Sequence, residues 1–137
     1  MRVVVDTVVF VRALINPKGR WGRLLFELRD RYDIVLSPEI AEEILTVLYR
    51  SELRKKFPQI DEIAIGRVLA LFEQAGVVEQ TEKLRVCRDP TDDKFFECAK
   101  AGAAGYIISE DRDILDVGEY DGIQTVSAAR FMELLGG

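Results

Sequence analysis

Apolar residues fill the first segment of the chain around a single acid. From Val3 to Val11 only Asp6 and Thr7 are polar. An unbroken apolar run bounded by polar residues marks a strand covered on both faces. Residues 2–6 (RVVVD) read as that strand, and 7–15 (TVVFVRALI) as the start of a helix. Asn16-Pro17-Lys18-Gly19 supplies the turn after it. Residues 21–31 read as a helix and 33–36 (DIVL) as a short strand. Ser37-Pro38 is a helix start, with serine as N-cap and proline in the first turn, and this helix runs to about Tyr49. Helical sequence follows over 51–57 and 60–75, ended by Gly76, and VVEQ after it is a candidate strand. Beyond Asp89-Pro90 come a helix over 91–103, a strand over 105–109 (GYIIS) and a loop or short helical turn (DRDILDV). A last strand, 123–126, leads into a helix over 128–135 capped by Ser127.

Strands separated by helices predict an α/β domain with a parallel sheet covered on both faces. A length of 137 residues suits one domain with one core, spanning 1–137. In such sheets the functional site lies beyond the carboxyl ends of the strands. The question is which side chains converge there.

Asp6 ends the first strand. A carboxylate there serves either as an acceptor for the next helix's N–H groups or as part of a site. In SPEIAEEILTVLYR, Ile40, Ala41, Ile44, Val47 and Leu48 define the buried stripe at roughly 100° per residue. Glu43 lies at its edge, Glu39 farther round and Glu42 nearly opposite, so Glu43 alone of the three can be half-buried and face the sheet's end. In CRDPTDDKFFECAKAG, Asp89 reads as an N-cap, and Asp92 shares the face of Phe95, Phe96 and Ala99. Asp93 points roughly 100° away, toward solvent. In ISEDRDIL the strand delivers Glu110, Asp111 and Asp113 past its end; Asp111 or Asp113 reaches the cleft, and Glu110 faces solvent.

Composition narrows the chemistry. There is no histidine, which removes the commonest general base and every Ser-His-Asp or Cys-His scheme. Cys87 and Cys98 form no CxxC pair and read as structural thiols in a reducing cytoplasm. No apolar run approaches the roughly 20 residues of a membrane span, and the strand-like start predicts no signal peptide. The net charge is −5, although a nucleic-acid binder is usually basic. Carboxylates gathered in one cleft repel and raise one another's pKa. A hard divalent cation, Mg²⁺ or Mn²⁺, resolves this with oxygen ligands. It also activates a water nucleophile without histidine, so phosphodiester hydrolysis follows.

The chain resembles the PIN domain family, specifically its bacterial and archaeal toxin–antitoxin subgroup. The resemblance rests on VVVDT around Asp6, SPEIAEEILTVL around Glu43, RDPTDDKFFECA around Asp92 and YIISEDRDIL around Asp111, and covers nearly the whole chain. It implies a three-layer Rossmann-like fold with a central, mainly parallel sheet of four to five strands flanked by helices. It also implies a Mg²⁺- or Mn²⁺-dependent endoribonuclease. Its acidic quartet would be Asp6, Glu43, Asp92 and Asp111, with Asp113 as an auxiliary metal ligand. Thr7 and Ser109 match small hydroxyl residues that support the family's acids. The family's first motif usually reads Asp-Thr-Asn; here the third residue is Val8, which removes side-chain hydrogen bonds near Asp6.

Arg12, Lys18 and Arg20, with Trp21 among them, and Lys94 and Arg112 beside the acids, are the candidate groups for RNA phosphates and bases. Trp21 is read first as a core anchor. In the resembling subgroup a homodimer and an inhibitory antitoxin are expected partners, and the cytoplasm is the expected location. Two rivals use the same residues. One is a weak or inactive PIN-like module that binds RNA or protein without cutting. The other is a phospho-accepting receiver domain, ranked lower because Asp6 is followed by Thr7 and Val8 instead of a second acid.

Overall fold

In the computed structural model, residues 1–136 are described. The chain folds into a six-stranded sheet in the order β3-β2-β1-β4-β6-β5. Its strands are β1 (Arg2–Val5), β2 (Asp33–Leu36), β3 (Gly76–Val77), β4 (Tyr106–Ile108), β5 (Glu119–Tyr120) and β6 (Ile123–Val126). All neighbouring pairs are parallel except β5–β6. The helices are α1 (Thr7–Ile15), α2 (Arg20–Gly22), α3 (Pro38–Leu48), α4 (Ser51–Lys56), α5 (Glu62–Gln74), α6 (Asp93–Ala101), α7 (Arg112–Leu115) and α8 (Ala128–Leu134). They flank the sheet, and none among the described residues is long and apolar enough to cross a membrane.

The central strand is buried because its sequence is. Val3, Val4 and Val5 are all at most 2% exposed, and each such side chain contributes about 1.5–3 kcal/mol of burial. Phe10 of α1, Phe95 and Phe96 of α6 and Phe131 of α8 fill the space on the sheet. Ser37 caps α3 through its hydroxyl, which accepts from the Ile40 N–H, and Ser127 does the same for Arg130 on α8. Asp89 caps the turn at Pro90–Asp92 by accepting from the Thr91 N–H.

Three expectations change. The sheet has six strands because β5, a polar edge pair, folds back antiparallel on β6. The turn between them places Asp121 at φ 51° and Gly122 at φ 82°. The expected helix over 21–31 divides into α2, a π-helical turn at Arg23–Glu27 and a 3₁₀ turn at Arg29–Arg31. Gly22 lies against the preceding turn, where a β-carbon would come within 2.0 Å of the Pro17 carbonyl oxygen. The helix expected over 91–103 begins only at Asp93, because Pro90–Asp92 forms a separate 3₁₀ turn.

Parallel pairing brings the carboxyl ends of β1, β2, β4 and β6 to one edge. The chain order runs outward from β1 in one direction to β2 and β3, and in the other to β4 and β6. The crevice between β1 and β4 is therefore the topological switch point of the sheet, the place where such folds bind ligands.

A candidate metal centre at the switch point

Asp6 follows β1 directly, and its N–H is bonded to the Ile108 carbonyl at the end of β4, 2.9 Å away. Its side chain makes no capping bond to α1, so the helix-start role considered for it is not what it does. Instead it is 4% exposed, and its Oδ2 accepts a 2.7 Å hydrogen bond from the Ser109 hydroxyl. Burial raises its pKa to about 6; Ser109 opposes that rise, while the nearby charges of Asp111 and Glu43 add to it.

Ser109, fully buried past the end of β4, is used twice. Its hydroxyl donates to Asp6 and accepts the Asp111 N–H at 2.9 Å. Asp111 is the N-cap of α7, with Oδ1 accepting from the Asp113 N–H at 2.8 Å. That bond places Asp111 and Asp113 on the same side of the loop. Asp92, at the end of the 3₁₀ turn before α6, meets them there. Asp92, Asp111 and Asp113 each offer a carboxylate oxygen, and these three oxygens lie within 4.8 Å of one another. Burial, then the charges of Asp111, Asp89 and Asp6, raise the Asp92 pKa to about 6. All three donors are carboxylates, with no nitrogen or sulfur. That set fits a hard ion such as Mg²⁺ or Mn²⁺.

Glu43 arrives from α3, half-buried at the edge of the apolar stripe, and is not one of those three. Its two oxygens are already engaged. Oε2 accepts from the Thr7 hydroxyl, and Oε1 faces Lys94 Nζ at 2.6 Å. The Lys94 ammonium also donates to the Thr91 carbonyl at 2.6 Å, and its side chain is only 11% exposed. Lys94 is thus tied into the acid cluster and not extended toward solvent as a phosphate-binding lysine would be.

Two sequence expectations are corrected. Asp93 does not face solvent. It is 6% exposed, and its Oδ1 accepts from the backbone N–H groups of Val86 and Cys87 at 3.0 and 2.8 Å. The helical-face argument failed because Asp92 precedes the α-helix, so the 100° step between the two does not apply. Asp93 and Glu97, which accepts from the Leu84 N–H, moor the extended segment 78–89 to α6. Nor does Glu110 face solvent: it accepts from the Ala128 N–H at the start of α8 at 2.9 Å and from Trp21 Nε1 at 3.4 Å.

Arg88, which no motif singles out, bonds Asp113 at 2.9 Å and Asp116 at 2.8 Å. Among the candidate substrate groups, Arg12 and Arg20 lie over the Trp21 ring at 5.0 and 6.0 Å. Lys18 is exposed in the turn after α1, and Arg112 is paired loosely with Asp116 at 3.9 Å. Val8 is 40% exposed on the first turn of α1. Cys87 and Cys98 are free thiols, both raised to about 12, chiefly by burial, so neither is a thiolate at neutral pH.

Comparison with known proteins gives this site its context. The chain is 34% identical over 119 residues to Uncharacterized protein MJ1680 of Methanocaldococcus jannaschii, covering 85% of this chain and 75% of that protein. Its fold is similar to the crystal structure of VapBC2 from Rickettsia felis bound to a DNA fragment from the promoter. There the TM-score is 0.59 at 12% identity, over 93% of this chain and 98% of the other. PAE2754 from Pyrobaculum aerophilum is similar with a TM-score of 0.58 at 15% identity, over 99% of this chain and 90% of the other. A sequence model of the PIN domain matches residues 2–113, so the chain belongs to the PIN domain family, whose members are generally nucleases.

Proposed function

We propose that the protein is a metal-dependent endoribonuclease, the toxin component of a toxin–antitoxin pair. The observation that carries this reading is the meeting of Asp92, Asp111 and Asp113 at the switch point, with buried Asp6 beside them and Glu43 across from them. In this reading Asp92, Asp111 and Asp113 hold Mg²⁺ or Mn²⁺, and Asp6 and Glu43 complete the negative field around it. The ion supplies charge neutralisation at a phosphodiester and an activated water nucleophile, neither of which needs a histidine. Ser109 keeps Asp6 ionised and aimed, and Thr7 holds Glu43. In this reading a substrate strand passes Lys83 and Arg85 in a groove of about 430 Å³ between segments 80–85 and 90–97, which Glu39, Asp93 and Glu97 also line. Arg12 and Arg20, over the Trp21 ring, and exposed Lys18 are the further groups this reading offers to a phosphate backbone.

An antitoxin protein as partner and the cytoplasm as the place of action belong to this proposal. A homodimer is part of the same proposal. The test is cleavage of labelled RNA in Mg²⁺ or Mn²⁺, with EDTA and Asp111→Asn as controls. The reading requires cutting that both controls abolish; cutting that survives them, or none by the wild type, refutes it. One observation favours the rival, a binding module that does not cut. Arg88 and Lys94 already offset Asp113 and Glu43, and Val8 offers no polar group beside Asp6. In that case RNA binds without metal-dependent cleavage.

A further inference from the structure

We infer that Lys94 is a built-in cation that takes the place of a second divalent ion, so that the acid cluster binds one metal ion per chain. The inference rests on the metal reading above and specifies its stoichiometry.

Two-metal phosphodiester sites hold their ions roughly 3.5–4 Å apart, so a second ion would lie against the acids beside the first. Asp92, Asp111 and Asp113 form one compact donor set. A second ion would have to draw on Asp6 and Glu43. Hydrogen bonds do not bar a carboxylate from an ion, so Asp6 stays available; Glu43 Oε1, however, meets Lys94 Nζ at 2.6 Å, and a second ion there would compete with that cation.

Lys94 is fixed in that position from several sides. Its ammonium contacts Glu43 and the Thr91 carbonyl, each at 2.6 Å, and lies 5.5 Å from the Phe95 ring centroid. Thr91 belongs to the turn that delivers Asp92, so the lysine ties α3 to the same turn that supplies a metal ligand. Only 11% of its side chain is exposed, which leaves it little freedom to swing away. Lys94 and Arg88 place two positive charges against the five carboxylates. A second ion would have to compete with a largely covered ammonium for its carboxylate.

The test is a Mn²⁺ titration of the purified chain, with bound ions counted from the loss of the free-ion electron paramagnetic resonance signal. Wild type and Lys94→Arg should bind one Mn²⁺ per chain; Lys94→Met, or Lys94→Gln if the methionine variant does not fold, should bind two. Two ions in the wild type, or one in the uncharged variants, overturns the inference. Asp111→Asn in the same titration tests the metal reading separately. If it binds Mn²⁺ as the wild type does, the ion site itself is misplaced, whatever Lys94 does. A wild type that binds no Mn²⁺ removes both.

Discussion

The Ser109 hydroxyl donates to Asp6 across the seam between β4 and β1, 103 residues apart in sequence and 2.7 Å apart in space. This bond opposes the cost of keeping a buried carboxylate ionised. Ser109→Ala removes it and also frees the Asp111 N–H. A hydrogen bond to a buried charge contributes about 1.5–3 kcal/mol, and urea unfolding near neutral pH should show a loss of that order. The Asp6 pKa should rise above its present value of about 6, read by NMR titration of the side-chain carboxyl. An Asp6 that titrates unchanged in the variant would show that Ser109 has no hold on it.

Burial, with repulsion among the acids adding to it, sets a pH dependence in the metal-free site. Asp6 and Asp92 are raised from an ordinary 3.8 to about 6. A raised carboxyl binds its proton more tightly in the native state than in the unfolded chain. Its contribution is therefore full below about pH 4 and lost as pH rises through about 6. For buried Asp6 the loss is roughly 2–3 kcal/mol. Asp6→Asn should then stabilise the chain in EDTA at about pH 7.5, by on the order of 1–2 kcal/mol, and not at about pH 4. The same variant should lose RNA cleavage. Equal unfolding midpoints for variant and wild type in EDTA at both pH values would contradict this.

Asp93 predicts a structural phenotype beside a functional site. Asp93→Ala leaves the Val86 and Cys87 N–H groups without their acceptor and should cost roughly 2–4 kcal/mol. Hydrogen exchange at those two amides should accelerate. Asp93→Asn retains an amide oxygen where Oδ1 stands, so it should be mild in both stability and cleavage. A large cleavage defect in a stably folded Asp93→Asn would instead put Asp93 in the metal site.

These cases show how far the sequence could be read. α1 and β2 fall where expected, Thr7–Ile15 and Asp33–Leu36, because apolar runs and the Ser37-Pro38 cap are local signals. Asp92 was selected over Asp93 by a helical periodicity that does not begin until the next residue. Its position comes from the Pro90 turn and from the loop it faces. The moorings of segment 78–89 depend on tertiary contacts with α6, which no pattern along that segment announces. β5 had a local signal, the Tyr120-Asp121-Gly122-Ile123 turn, but two polar residues do not look like a strand until β6 is beside them. That acids gather at the strand ends with Lys94 beside them was legible; that Lys94 pairs with Glu43, and Arg88 with Asp113, was not.

Val8→Asn tests the departure from the family's first motif. The side chain is 40% exposed at the start of α1, so the exchange should change stability by about 0.5 kcal/mol or less. An asparagine there adds a donor and an acceptor beside Asp6. Metal-dependent cleavage should rise, with the fold unchanged by circular dichroism. No change in rate would make Val8 a neutral surface residue.

In the proposed function these acids hold a divalent ion, which anomalous diffraction from crystals soaked in Mn²⁺ would reveal. The predicted result is a Mn²⁺ peak coordinated by carboxylate oxygens of Asp92, Asp111 and Asp113, absent in Asp111→Asn. A peak elsewhere, or none at saturating Mn²⁺, would contradict it.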